Sequence, residues 1–407
     1  LLDEERSEFI RKEGKEMENK RALPILFLVM FLVMVGFGII IPVLPFYAEE
    51  LGASPAELGL LMAVYSFMQL LFSPIWGKIS DKIGRKPVML IGIAGLSISF
   101  FLMAIANHLW MLFFARIIGG LLSAANMPTT MAYAADITTP ENRSKGMGMI
   151  GAAVGLGFIF GPAIGGVFSD IRLNLPFTIA GSVSIFTFLL VLFVLKESKP
   201  KEERNTEKNT PALSRWAAFR GANTILFILQ FFVSLSLAGL EATYAYFVAD
   251  KAGLGTREIG YIFMIMGLAG AVVQGGLIGL LSKKFGDERI IQGGLLVSAI
   301  GFGLILLTNN FTSAAVYLTI FGLGNGVIRP TVSALLTKTS TVGHGSVTGL
   351  LSSFDSLGRI IGPPLGGMLF AIGIGLPYIT GLLLSIIAFI LFQIFRYRNH
   401  EFNNHRA

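Results

Sequence analysis

The 407-residue chain is 53% hydrophobic and 14% charged, with 32 Lys and Arg against 25 Asp and Glu for a net charge of +7. Soluble domains carry roughly 25% charged residues, so one large water-soluble core is not expected, and a mean hydropathy of +0.70 points to a bilayer. The absence of cysteine excludes disulfides, thiolate metal sites and cysteine nucleophiles together.

Residues 1–20 are polar and of mixed charge, with no apolar stretch ahead of a cleavage site; a cleaved signal peptide is not expected, and Met17 is a candidate start. Twelve apolar runs follow, each near the roughly 20 residues that a membrane helix needs. They cover 23–46, 57–76, 87–106, 109–133, 146–169, 175–195, 223–248, 258–281, 289–308, 312–337, 345–371 and 375–396. Helices are expected rather than strands, because backbone groups in lipid must be satisfied within their own segment.

Lys and Arg gather in alternate gaps between these runs. One set holds Lys78, Lys82, Arg85 and Lys86, then Arg143 and Lys145, then Lys196 to Arg220, then Lys283, Lys284 and Arg289, then Arg396 and Arg398. The other set holds Glu49, Glu50 and Glu57, then Asp170 with Arg172, then a balanced stretch from Asp250 to Glu258. The positive-inside rule places the basic gaps and both termini in the cytoplasm of a multi-pass cell-membrane protein. The net positive charge then reads as a topological signal and calls for no nucleic acid.

The long polar gap at 196–221 reads as a flexible cytoplasmic linker. It divides a polar extension (1–20) and a six-helix bundle (21–195) from a second bundle (222–398) and a short tail (399–407). The bundles repeat one pattern. Gly77 to Pro87 has a weaker copy from Gly279 to Gly286, and Pro128-Thr129 recurs as Pro330-Thr331, both 202 residues on. Gly157, Gly161-Pro162 and Gly165-Gly166 recur as Gly358, Gly362-Pro363 and Gly366-Gly367, at an offset of 201. Register held across so many Gly and Pro positions implies a duplicated six-plus-six, all-α membrane bundle.

From Lys20 to Arg398 the chain resembles the major facilitator superfamily. Gly77-Lys78-Ile79-Ser80-Asp81-Lys82-Ile83-Gly84-Arg85-Lys86 is similar to that family's loop signature between helices 2 and 3. Its Gly77 and Gly84 permit a tight reversal, and Asp81 is expected to accept from helix N-terminal amides across the interface between the halves. Asp136, at the cytoplasmic end of the fourth span, is expected to organise the same gate. Gly157 to Gly166 resembles the fifth-helix motif of drug:proton antiporters, where Gly157, Gly161, Pro162, Gly165 and Gly166 imply a hinge and a seal. Gly36, Gly38, Pro42 and Pro45 in the first span, and Arg116 with Gly120 in the fourth, resemble two further family motifs; the arginine's equivalent is associated with proton coupling.

Glu241 stands mid-span in the seventh helix with no basic residue one turn away. An uncompensated carboxyl in an apolar span is a candidate proton carrier and cation site, with Tyr244 and Tyr246 near enough in sequence for cation–π contact. The segment looks like the seventh helix of Bmr/NorA-type multidrug antiporters. Those relatives imply a second acid just before Arg329-Pro330, where this chain has Gly326; Asp355 is the candidate substitute, although Arg359 four residues on can neutralise it. Arg329 is expected as a further buried charge. Gln69, Asn126, Tyr133, Phe158, Gln230, Tyr244 and Arg329 are candidate cavity residues beside Glu241.

No Gly-Lys-Ser/Thr nucleotide loop is present, and the four histidines lack metal-ligand spacing. No enzyme activity, metal or cofactor is therefore expected; a proton gradient is the implied energy source. The resemblance implies a monomeric transporter that exports lipophilic, often cationic, small molecules by rocking its halves in the bilayer. An exporter or symporter of a single metabolite on the same fold is the alternative.

Overall fold

The computed structural model describes residues 2–139, 142–198, 223–339 and 344–404, with side chains described except at 2–21, 144, 339, 344–346 and 398–404. Most of the expected linker (199–221 of 196–221) and the last three residues of the tail therefore lie outside the described residues.

The described chain is helical throughout its long segments: α1 (Leu2–Glu50), α2 (Pro55–Ile83), α3 (Arg85–Ala104), α4 (Leu109–Ser123), α5 (Asn126–Ile137), α6 (Arg143–Ser169) and α7 (Leu175–Val194) in the first half. The second half holds α8 (Asn223–Ala252), α9 (Thr256–Val272), α10 (Ile278–Phe285), α11 (Asp287–Ile305), α12 (Phe311–Thr339), α13 (His344–Ile372) and α14 (Leu376–Asn404). α4 and α5 form one span interrupted at Ala124–Ala125; α9, a π-helical turn at Val273–Leu277, and α10 form another. Eleven spans among the described residues are long and apolar enough to cross a bilayer, and the 29-residue α13 completes twelve. The polar segment at 2–20 continues straight into α1, because its Glu, Lys and Arg residues are good helix formers.

Local chemistry sets the helix ends. Ser54 caps α2 through a reciprocal box in which its hydroxyl accepts from the Glu57 amide while the Glu57 carboxylate accepts from the Ser54 amide at 2.8 Å. Gly84, at φ 110°, turns α2 into α3, and Gly286, at φ 82°, turns α10 into α11. These are left-handed backbone positions that side chains disfavour.

Glycine ridges bring the helices together. On α6, Gly161 lies so close to Gly38 and Val35 of α1 that an added Cβ would sit 2.7 Å from the Gly38 Cα. Its counterpart Gly366 on α13 lies equally close to Gly239 of α8, at 2.9 Å by the same measure. Close backbone approach through small residues is the usual packing device in lipid, where apolar side chains gain little by leaving the tails. Tyr47, Phe100 and Phe177 lie in the packed interior of the first half; the second half has two apolar clusters, one around Phe227 and Phe392 and one around Tyr244, Phe302 and Tyr378.

The halves meet on one side only. Opposite the basic loops, Gly166 packs on Thr256 and Arg257, Gly260 on Pro162, Gly59 on Pro363, and Gly367 on Pro55. Ser169 and Thr256 share a hydroxyl hydrogen bond of 2.5 Å, Arg257 pairs with Asp170 at 3.4 Å, and Tyr246 donates to the Pro45 carbonyl at 2.8 Å. The α6–α9 seam reaches as far as Ile159 against Gly267. Beyond it, Gly148, Gly151 and Gly155 on α6 and Gly270, Gly275, Gly276 and Gly279 on the other wall face open space. The protein is thus sealed on one side and open toward the basic loops.

Candidate transport site

A cavity lies where the sealed seam ends, between α1, α2, α4 and α6 of one half and α8 and α13 of the other. Phe37, Ile40, Met62 and Phe158 make its walls apolar, and three charges face it: Arg116, Glu241 and Arg359. Glu241 projects from mid-α8 and has a partner, Arg359 of α13, whose Nη1 lies 3.4 Å from its Oε2. The expectation of an uncompensated acid is corrected: the counter-charge comes from another helix, 118 residues away.

Arg359 is shared. Its Nε is also 3.8 Å from Asp355 Oδ2, one turn earlier on α13, and Asp355 in turn meets Arg329 Nη1 at 3.5 Å. Asp355 further accepts from Ser234 and, at 3.2 Å, from Gln230. Glu241, Arg359, Asp355 and Arg329 form a chain of alternating charges. Arg329 is not the buried charge expected: its side chain is 53% exposed while it pairs with Asp355. Gln230 is buried and serves Asp355 and Ser234; it is absent from the cavity lining.

Arg116 is 6% exposed in α4. Its guanidinium lies over the Tyr65 ring, 5.2 Å from the centroid, and its Nε has no hydrogen-bond partner. Tyr65 is itself held by Ser123 at 2.6 Å and Gln69 at 2.9 Å, and packs edge-on against Phe37. Gln69 therefore acts behind the wall, by orienting Tyr65.

The structure brings Glu241 and Phe158 together on the cavity wall, with Arg116. It places the other candidates elsewhere. Tyr244 is fully buried in a packed cluster and donates to the Ala314 carbonyl at 3.0 Å; Tyr246 faces the sealed end. Neither offers Glu241 a cation–π neighbour: the Tyr244 ring is packed edge-on against Phe263, and the Tyr246 ring lies between Phe46 and Phe370. Tyr133 is buried and donates to the Lys196 carbonyl at 2.6 Å near the basic side. Asn126 begins α5 with both amide atoms buried and unpartnered, against Gly92. Sequence reasoning missed Tyr65 and Phe37, which no pattern separates from the other aromatics. It paired Arg359 with Asp355 alone, and overlooked Gln274, whose amide lies beside Gly326 in the space where relatives would carry an acid.

At the basic loops Arg85 is buried and serves three acceptors: Asp81 at 2.5 Å, Ser80 at 2.8 Å and Asp136 at 3.1 Å. Asp136 also accepts from Ser198. The expectation that Asp81 takes helix N-terminal amides is corrected: Glu197 takes the Arg85 and Lys86 amides, at 2.8 and 3.2 Å, while Asp81 turns to Arg85 within its own half. The second half repeats the geometry with the charges exchanged. Asp287, in the place of Arg85 (85 + 202), accepts from Ser282 and pairs with Lys338 at 2.6 Å, and Lys338 stands in the place of Asp136 (136 + 202).

Two glycine-packed halves around a charged central cavity, sealed on one side and open on the other, define a secondary transporter. The family model of the Major Facilitator Superfamily matches residues 26–278 and 226–406, and the chain belongs to that family. It is similar to Multidrug resistance protein 2 of Bacillus subtilis (strain 168), with 31% identity over 94% of this chain and 97% of that protein. It is also similar to Quinolone resistance protein NorA of Staphylococcus aureus (strain MSSA476), with 30% identity over 91% and 95%. Among solved structures, the nucleoside transporter NupG superposes with a TM-score of 0.76 at 14% identity, over 93% and 98% of the two chains. A bacterial homologue of the human lysosomal transporter Spinster, inward-facing and occupied, superposes with a TM-score of 0.77 at 17% identity, over 93% and 97%. These two likenesses carry the fold alone. The protein is a multi-pass membrane transporter of small molecules and not an enzyme; among the described residues no group of three or more His, Asp or Glu is placed to hold a metal.

Proposed function

We propose that this chain exports lipophilic, often cationic, drugs across the cell membrane in exchange for protons, as a monomer with the proton gradient as its only energy source. The relatives' names as multidrug and quinolone resistance proteins support the cargo class. The positive-inside rule puts the basic loops and both termini in the cytoplasm, which makes the present state inward-facing. The observation that carries the reading is Glu241, an ion-paired carboxylate on the wall of an apolar cavity between the halves.

In this state a lipophilic cation enters from the cytoplasm and competes with Arg359 for Glu241, and Arg359 is released toward Asp355, 3.8 Å away. Closure over the basic loops and opening of the opposite seam then expose the same cavity outside. There a proton replaces the cation on Glu241; the protonated carrier returns and gives the proton up to the cytoplasm, which restores the pair with Arg359. Asp355 holds the counter-charge while Glu241 is occupied, and Arg116 supplies the cavity's second cation on the opposite half. The Gly157–Gly166 ridge is the hinge and seal, and the Arg85–Asp81–Asp136 cluster braces the cytoplasmic gate.

Everted vesicles with an imposed pH gradient test this. Ethidium addition should produce proton flux in wild type and none in Glu241→Gln; undiminished exchange by that variant refutes the mechanism.

A further inference from the structure

The charges on the cavity wall do not balance. Glu241 is already matched by Arg359 at 3.4 Å. Arg116 is 6% exposed, lies over an aromatic face and has no carboxylate partner among the described residues. Its Nε is buried without a hydrogen bond. A guanidinium in an apolar span is expensive unless something anionic meets it, and the described residues supply no carboxylate to it in this state. Tyr65 sets its position and leaves it free of a counter-ion: the phenol is occupied by Ser123 and Gln69 and offers the guanidinium only its ring. The unmatched charge facing the cavity is thus a fixed cation on one half, with a carboxylate on the other whose partner can swing away.

We propose that Arg116 is a binding site for a carboxylate, or an equivalent monoanionic group, on the transported molecule. This rests on the reading of the central cavity as the transport site and narrows its cargo. The preferred substrates are amphiphiles carrying an acidic and a basic group on one apolar body. The acid forks onto Arg116; the base meets Glu241 once Arg359 turns to Asp355. Such a molecule bridges the two halves through opposite charges, which a simple cation cannot do.

The test is equilibrium binding to the purified transporter in nanodiscs at one fixed pH, without a gradient, so that proton coupling does not enter. The probes are a zwitterionic rhodamine with a free benzoate and its methyl ester, which share the same cationic xanthene body. Wild type should favour the acid. In Arg116→Ala the ratio of acid to ester affinity should fall by about tenfold or more, the worth of a charge-assisted bond; Arg116→Lys, which keeps the charge, should still favour the acid. If the alanine variant does not fold, as judged by size-exclusion, Arg116→Gln keeps the side-chain length and must show the same fall. Binding of the ester without the acid, or equal loss of both dyes in the Arg116 variants, overturns the carboxylate site and leaves the cavity reading standing. Failure of wild type to bind either dye, or unchanged affinities for both in Glu241→Gln, overturns the cavity reading and this inference with it.

Discussion

The one-sided seam makes a conformational prediction at Gly166. A Cβ there would sit 2.6 Å from the Thr256 carbonyl oxygen and 3.0 Å from the Arg257 Cα. Both are backbone atoms of the other half, so no rotamer change relieves the contact. Overpacking of this kind costs about 1–3 kcal/mol. Here the cost falls only on the state in which the seam opposite the basic loops is closed. Gly166→Val should therefore shift the equilibrium about 5–150-fold toward the state open on that side. The chain has no cysteine, so spin labels at Lys82→Cys and Lys284→Cys need no background removal; both positions are exposed at the basic ends of α2 and α10. The long interlabel distance of the present state should lose population to a shorter one. Gly151→Val, placed where an added Cβ meets open space, should leave the distribution as it is. A folded Gly166→Val protein with an unchanged distribution, or an equal shift in the Gly151 control, refutes the reasoning.

Asp355→Asn should leave Arg359 with Glu241 as its one remaining carboxylate, so that a cation displaces it less readily. The ethidium affinity of the purified protein should then fall by about tenfold, the worth of one charged hydrogen bond; an affinity at the wild-type level contradicts the shared-arginine scheme. Tyr65→Phe removes the hydroxyl that Ser123 and Gln69 share but keeps the ring beneath Arg116. It should cost about 1 kcal/mol of stability in detergent unfolding, with Tyr65→Ala costing more through lost packing and cation–π contact.

The all-α, twelve-span class was legible because long uncharged runs leave helices as the economical way to satisfy backbone groups in lipid. The internal repeat was legible because Gly and Pro mark backbone positions whatever surrounds them. The site was only partly so. Glu241 announced itself as a charge in an apolar run, yet its partner Arg359 sits on another span, and sequence spacing speaks only of neighbours along one helix. Assigning walls failed for a different reason. α8 is buried on nearly every face, by α13, α14 and the halves' junction, so hydrophobic periodicity does not mark which aromatic looks inward. That is why Tyr244 looked like a cavity residue and Tyr65 did not.

The exchanged charges at the basic loops carry one more consequence. Arg85 and Asp287 occupy equivalent places after a left-handed glycine, and Asp136 and Lys338 are their equivalent partners. The pair is kept while its polarity is reversed, but the surroundings are not reversed with it. Arg85 lies among Asp81, Asp136 and Glu197, the last bonded to its amide. Removing its guanidinium takes from Asp81 and Asp136 the cation they share. Asp287 has Ser282 and a lysine that is 65% exposed, so its loss releases a charge that water can solvate. Arg85→Ala should therefore destabilise by about 3 kcal/mol or more and Asp287→Ala by about 1 kcal/mol, although each deletes one member of an equivalent pair. Thermal unfolding of both variants in the same detergent decides it. Equal losses, or a larger loss for Asp287→Ala, would mean that the acidic surroundings of Arg85 carry no weight and that the halves behave as simple mirror copies in charge.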